Sequence, residues 1–498
     1  MMIKIDLEKA FDRMEWSFVR SMLFSMGFHQ DTIDLILSGI SSTDVSLLFN
    51  GSQLEEFQPS RGLRQGDPIS PYIFILCMEF LSTLIHRKCE KGDWTRVKAS
   101  RSGPGFSHIF FADDLLLFAS TSQKNTEAVS EVLEEFCQLT GQKINLAKSK
   151  IFFSANTSEE DKEKVVHHLG IAETSNLGKY LGFPILHNGR RRNDFQFVVE
   201  RVQSKLAGWK SKCLSPAGRL VLLKAAVSPI PEYFMQCCKL PARVCDEVDR
   251  LVRDFLWGST SNKKKIHLVG WSKITSPKEL GGLGIFQANA RNSALLAKLC
   301  WRIASSPDKP WAQMLISKYL TPARLGDGGK KLPASRIWAA CKVGGAIFNK
   351  GLKWSVANGE MINAWEDFWL PSGPLRHQIE GPLTEGEDNI SVKLFLGNRA
   401  SISFNLPDTI SKEIQGIPTA MNPDQKDILV WAYSKDGSFS LSSAYLLAKG
   451  LNLLNPVTTL GQWVWKSNTT PRIKFFFFGF VFIIASQPEK SLVQEVLT

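Results

Sequence analysis

Asp113 and Asp114 stand side by side between two short apolar runs, 109–112 and 115–118. Each run reads as a buried strand, and the acidic pair then falls in the tight turn of a β-hairpin, where Asp is at home. A merely solvated turn would set Gly or Asn beside the Asp and would not need such apolar flanks. A hairpin buried on at least one face delivers both carboxylates to the rim of a core, where they repel each other unless a cation lies between them. An ordinary Asp-Asp turn is the competing reading, and the dipeptide alone does not choose.

Other elements must bring further groups to that rim. Residues 1–7 alternate as a short strand closed by Asp6. Apolar residues at helical spacing over 8–26, stopped by Gly27, predict a helix with Phe11 on its opening turn and Asp12 as a structural brace. Residues 45–57 read as a hairpin around Asn50-Gly51. The stretch Arg61-Gly62-Leu63-Arg64-Gln65-Gly66-Asp67-Pro68-Ile69-Ser70-Pro71 is a loop that feeds an apolar helix over 72–86. Backbone amides and arginines at such a helix start suit a phosphate-bearing ligand.

The chain has 498 residues, enough for about three domains. With 44% hydrophobic and 22% charged residues, the composition is that of a soluble globular protein. A net charge of +12 favours a polyanionic partner, nucleic acid before a membrane surface, although a merely basic protein would look the same. Nine cysteines without a C-x-x-C pair argue against a zinc ribbon or a disulfide framework and for reduced, intracellular thiols. The first residues carry charge too early for a signal peptide. The apolar run 473–485 contains Lys474 and is about 13 residues long, too short to span a bilayer. No membrane partner is expected.

Asp6 with Phe11 five residues on resembles motif A of reverse transcriptases, Arg61 to Pro71 resembles motif B, and Phe111-Ala112-Asp113-Asp114 resembles motif C, in the family's order and separations. The likeness is to LINE-type (non-LTR) retrotransposon polymerases, especially those of plants. Residues 141–150 are similar to motif D, and Gly178-Lys179-Tyr180-Leu181-Gly182-Phe183-Pro184 to motif E, the primer grip. Residues 209–241 resemble the helical thumb, 281–298 the segment after it, and 363–370 a Trp-rich downstream box. Residues 463–478 resemble the start of a reverse-transcriptase zinc-binding region.

The resemblance implies an α+β palm, an antiparallel sheet with packed helices, over 1–187, followed by a helical thumb over 188–258. A connecting region over 259–375 and the start of the zinc-binding region over 376–498 would follow, mostly helical. It implies RNA-directed DNA synthesis with an RNA template, a DNA primer and deoxynucleoside triphosphates. Asp6, Asp113 and Asp114 would be the catalytic ligands of two Mg²⁺ ions, with Asp6 and Asp113 bridging. Phe11 would exclude a 2′-hydroxyl, with a plain core Phe as the alternative. Arg61, Gln65 and Gly66 would meet the nucleotide and template. Lys148 would protonate the pyrophosphate, in competition with Lys143 and Lys150. Tyr180, Leu181 and Gly182 would hold the primer end. Arg190, Arg191, Arg192, Lys205, Lys210, Lys212, Arg219 and Lys224 would follow a duplex or simply face solvent, and 263–265 would be a surface loop.

The chain departs from the family pattern at both ends. Only five residues precede Asp6, so fingers are expected to be missing and the Asp6 strand to lack an upstream sheet partner. The zinc-binding Cys and His residues do not arrive by 498, which reads as a fragment of an element. A non-enzymatic remnant that binds nucleic acid therefore stands beside the polymerase reading. A maturase-like protein is a third, against which the Trp-rich box argues.

Overall fold

The computed structural model describes residues 1–185, 195–208, 213–259, 265–320, 334–379, 381–384, 386–397, 406–417, 425–451, 465–470, 472–474 and 477–478. The chain divides into two compact units, one made of 1–189 with 313–327 and the other of 190–312 with 328–498.

The first unit is built on a four-stranded antiparallel sheet. Its strands are β1 (Met2–Ile5), β6 (His108–Phe111), β7 (Asp114–Phe118) and β8 (Lys150–Phe152), in the order β6-β7-β1-β8. Alternation fixes the faces: Ile3 and Ile5 of β1 and Leu115 and Leu117 of β7 enter one core, so Lys4, Asp6, Asp114 and Leu116 belong to the other face. The core side is covered by α1 (Trp16–Ser25), α3 (Ser70–Glu90) and α4 (Gln123–Thr140). Phe74, Leu81, Val129 and Phe136 are wholly or nearly wholly buried there, and each such side chain contributes about 1.5–3 kcal/mol. Around this core lie α2 (Gln30–Ser41), α5 (Glu159–Leu169) and three two-stranded hairpins: β2 (Leu48–Phe49) with β3 (Ser52–Gln53), β4 (Val97–Lys98) with β5 (Gly105–Phe106), and β9 (Lys179–Tyr180) with β10 (Phe183–Pro184). The turn Asn50-Gly51 has φ of 49° and 87°, as its sequence predicts.

The Asp6 strand is flanked on both sides by strands that follow it in the chain, β7 and β8, so its sheet is completed from downstream. Two expectations change. The helix predicted over 8–26 is formed only over Trp16–Ser25. Upstream, the Glu8 amide donates to the Lys143 carbonyl at 2.8 Å and Lys9 has φ +52°, which takes 7–15 out of the helical path. Finally, the acidic pair is not wholly in the turn. Residues 112 and 113 make it, and Asp114 begins β7.

The second unit is largely helical. Gln196–Leu206, Pro216–Leu222, Pro229–Met235 and Ala242–Trp257 are helices, with a π turn at Leu223–Val227. That turn precedes Pro229, which has no amide to donate, and the Ser228 amide reaches back five residues to the Leu223 carbonyl at 2.9 Å. The helices Ala288–Ser305 and Arg336–Gly351 pack so closely that a Cβ on Gly344 would lie 2.3 Å from the Leu296 carbonyl. Trp365 and Trp369 of the Trp-rich segment are core residues, and the Trp369 indole donates to the Ala364 carbonyl at 2.8 Å. Among the described residues no helix is long and apolar enough to cross a membrane.

Candidate active site

The antiparallel register pairs Ile5 with Leu115. Continued by one residue, it sets Asp6 opposite Asp114 on the face away from the core. Asp113 is exposed on the adjoining turn. Ala112, the residue before it, has φ +51°, a left-handed conformation that costs an L-residue roughly 1–2 kcal/mol and turns the chain within two residues. The three carboxylates named from the sequence therefore lie at one end of neighbouring strands. They do not form a closed cage: among the described residues no group of three His, Cys, Asp or Glu is gathered tightly enough to hold an ion. The donors are all oxygens and partly open to solvent. That suits Mg²⁺, which keeps water and phosphate in its shell and takes few protein carboxylates.

Asp6 is held from its backbone. Its amide donates to Ser149 Oγ at 3.1 Å, and its carbonyl accepts from the Asn145 amide at 2.8 Å. The carboxylate itself stays 42% exposed, with Lys148 Nζ 4.0 Å away. Lys143 instead pairs with Glu8 at 3.4 Å, and Lys150 lies in β8. Of the three lysines weighed in this segment, Lys148 is the one beside Asp6.

The segment 7–15 carries Phe11 and is held from two directions. On one side, the Leu63 amide donates to the Phe11 carbonyl, the Gly62 amide to the Met14 carbonyl (both 2.8 Å), and the Trp16 indole to the Gly62 carbonyl (2.7 Å). On the other, buried Gln142 donates from Nε2 to the Ala10 carbonyl at 2.7 Å, and the Glu15 amide donates to the Thr140 carbonyl at 3.1 Å. Phe11 is half-buried and stacks on Phe74 with centroids 4.6 Å apart and planes at 15°. Arg61 meets Glu15 at 3.1 Å in an exposed pair, a weak tie that a phosphate can displace. Gln65 reaches Asp12 Oδ1 at 3.4 Å, and Gly66, with φ +94°, has open space around it.

The β9–β10 hairpin turns through Leu181 (φ +50°) and Gly182 (φ +76°). It is tied to the sheet by Lys4, whose Nζ donates to the Lys179 carbonyl at 2.6 Å. The Tyr180 hydroxyl oxygen is buried with no hydrogen-bond partner. Burial, and after it the Asp114 charge, push this phenol above its ordinary range. The sequence reading passed over Lys4, Gln142 and Ser149. Period-two alternation puts Lys4 on the Asp6 face and could have flagged it. The other two act through contacts across more than a hundred residues, for which the sequence carries no local sign.

The basic residues assigned to a duplex divide. Lys224 donates to the Leu283 carbonyl, and burial, with Lys278 nearby, lowers its pKa to about 8, so it is not on a solvated face. Arg219 lies over the Phe255 ring, 6.0 Å from its centroid, and Lys205 is exposed. Arg190, Arg191, Arg192, Lys210, Lys212, Lys263 and Lys264 lie outside the described residues. So does 479–498.

Residues 1–185, the part that contains this site, match the family model described as reverse transcriptase (RNA-dependent DNA polymerase). The chain carries a reverse transcriptase domain. Its relatives give the type. An Arabidopsis thaliana protein whose name gives a provisional ribonuclease H assignment is 33% identical over 303 residues, 59% of this chain and 49% of that protein. The Pol polyprotein of the type-2 retrotransposable element R2DM of Drosophila melanogaster is 26% identical over 295 residues, 56% of this chain and 26% of that protein. An uncharacterized mitochondrial protein of Arabidopsis thaliana is 30% identical over 142 residues, which make up 28% of this chain and 92% of that protein. Beyond the matched domain, the likeness is to plant proteins and to the Pol polyprotein of a retrotransposable element. The chain spans about half the length of the first of these relatives and about a quarter of the second. A telomerase structure from Candida albicans aligns over 64% of this chain and 50% of that one, with TM-score 0.30 and 12% identity, too low to bear on the fold.

Proposed function

We propose that the chain is an RNA-directed DNA polymerase that extends a DNA primer on an RNA template from deoxynucleoside triphosphates. The observation that carries this reading is the register of β1 on β7, which pairs Ile5 with Leu115 and, continued by one residue, sets Asp6 opposite Asp114, with Asp113 on the adjoining turn. Two bound Mg²⁺ ions would supply a more acidic primer 3′-hydroxyl and neutralise charge on the entering and leaving oxygens. Asp6, Asp113 and Asp114 would hold them. Phe11 would bound the sugar site, Arg61, Gln65 and Gly66 the triphosphate and template. Lys148 would hold the proton at Nζ that the departing pyrophosphate takes. Tyr180, Leu181 and Gly182 would seat the primer end. On this reading 1–187 is the palm and 188–258 the thumb, with the connecting region over 259–375 and the zinc-binding start from 376.

The test is primer extension on poly-rA with dTTP and Mg²⁺, comparing the chain with an Asp113→Ala, Asp114→Ala double variant. Extension in the first and none in the second is the expected result. If the chain is folded by circular dichroism and extends nothing, the reading gives way to a nucleic-acid-binding remnant.

A further inference from the structure

We propose that Tyr180 is a positioning residue for Asp114, its hydroxyl donating to the Asp114 carboxylate and so fixing which oxygen is left for a divalent cation. The proposal rests on the polymerase reading of the carboxylates and adds to it a role for the β9–β10 hairpin distinct from contact with primer. Three observations meet here. The Tyr180 hydroxyl is buried without a partner, and a buried phenol normally finds one. The hairpin is fastened to the carboxylate face itself: Lys4, which holds the Lys179 carbonyl at 2.6 Å, is two residues before Asp6 and pairs with Leu116, two residues after Asp114. Asp114 is also the charged group whose field reaches the phenol, after burial, and disfavours its ionised form.

The chemistry is complementary. A phenol donates one proton, and an ionised carboxylate only accepts. A carboxylate that gives one oxygen to a cation keeps lone pairs on the other, and a donor there sets its orientation and raises cation affinity. Lys4 is the clamp that keeps the hydroxyl in place. Its exposed bond ties the hairpin to the sheet through the Lys179 carbonyl.

Binding of Mn²⁺, read from the electron paramagnetic resonance signal of the free ion, tests this without any turnover. Tyr180→Phe removes only the hydroxyl and is expected to weaken Mn²⁺ binding by about tenfold, within the range for lost outer partners of metal ligands. In an Asp114→Asn background the same change is expected to add nothing, since both act through one carboxylate. Lys4→Met keeps the hydroxyl, frees the hairpin and should weaken binding in the same direction. If the folded wild-type chain binds Mn²⁺ in a manner lost with Asp6→Asn, while Tyr180→Phe binds as tightly as wild type or its effect adds to that of Asp114→Asn, the Tyr180 assignment is overturned alone. If the folded wild-type chain shows no Mn²⁺ binding that Asp6→Asn removes, the carboxylate reading falls and takes this one with it.

Discussion

Gly62 lies directly against the backbone of Asp12: a Cβ built on Gly62 would stand 2.8 Å from the Asp12 carbonyl oxygen, at a φ of +96°. The loop before α3 thereby presses on the same segment that carries Phe11, and it does so through bare backbone.

Gly62→Ala should therefore both strain its own backbone and displace Asp12, with a loss of roughly 1–3 kcal/mol in urea denaturation and a fall in primer extension. Gly66→Ala is the control. Gly66 has φ +94° but nothing within 4 Å, so only the backbone term remains, roughly 1 kcal/mol.

Phe11 stacks on Phe74 with part of its surface still open, so the core role and the proposed sugar-gate role are compatible. Phe11→Val should lose about 1 kcal/mol of stability from the broken aromatic pair. It should also raise use of UTP relative to dTTP by at least about tenfold, the worth of a small change in pocket size. A variant that loses stability with unchanged selectivity would leave Phe11 as a core residue only.

Much of this arrangement was legible in the sequence, and the failures have a common cause. The β6–β7 hairpin and the Asn50-Gly51 turn are local, written in apolar flanks and turn residues a few positions apart. The overlong helix over 8–26 was a reasonable reading because Leu7, Ala10 and Met14 are indeed buried at helical spacing. Yet the bonds that set that backbone come from Leu63, Gln142 and Lys143, far along the chain. β8 escaped notice for the same reason: three residues in a lysine-rich stretch become a strand only because β1 offers an edge. Lys224 looked like part of a solvated basic face, but its end is taken by Leu283, 59 residues away.

His108 on β6 sits between Ser82, Ser107 and His86, with Arg96 near it. Burial first, then the charges of His86 and Arg96, lower its pKa from 6.5 to about 4. The unfolded chain then binds more protons than the folded one between those values, so stability should fall as pH drops from about 6.5 towards 4. Amide protection in β6 and β7, corrected for the intrinsic exchange rate at each pH, should fall over that window, and less so in His108→Gln.

Asp249, in the second unit, should act with the opposite sign. Burial raises its pKa from 3.8 to about 6, against the Ala288 amide that donates to it at 3.0 Å. The folded form holds the extra proton here, so this contribution is full below 3.8 and is lost as pH rises through about 6. Amide protection in the helix Ala288–Ser305, corrected for the intrinsic exchange rate between pH 4 and 7, should fall with rising pH, and Asp249→Asn should flatten that dependence.

The two-sided hold on 7–15 bears on how the chain comes off a ribosome. Asp6 is made well before Gln142, which fastens Ala10 and follows that alanine by 132 positions, and β8 comes later still. Until then the acidic strand has one edge without its neighbour, and an unpaired edge is open to strands of other nascent chains. Synthesis paused before 140 would leave the earliest-made part of the site as its least finished, and the part most in need of a chaperone.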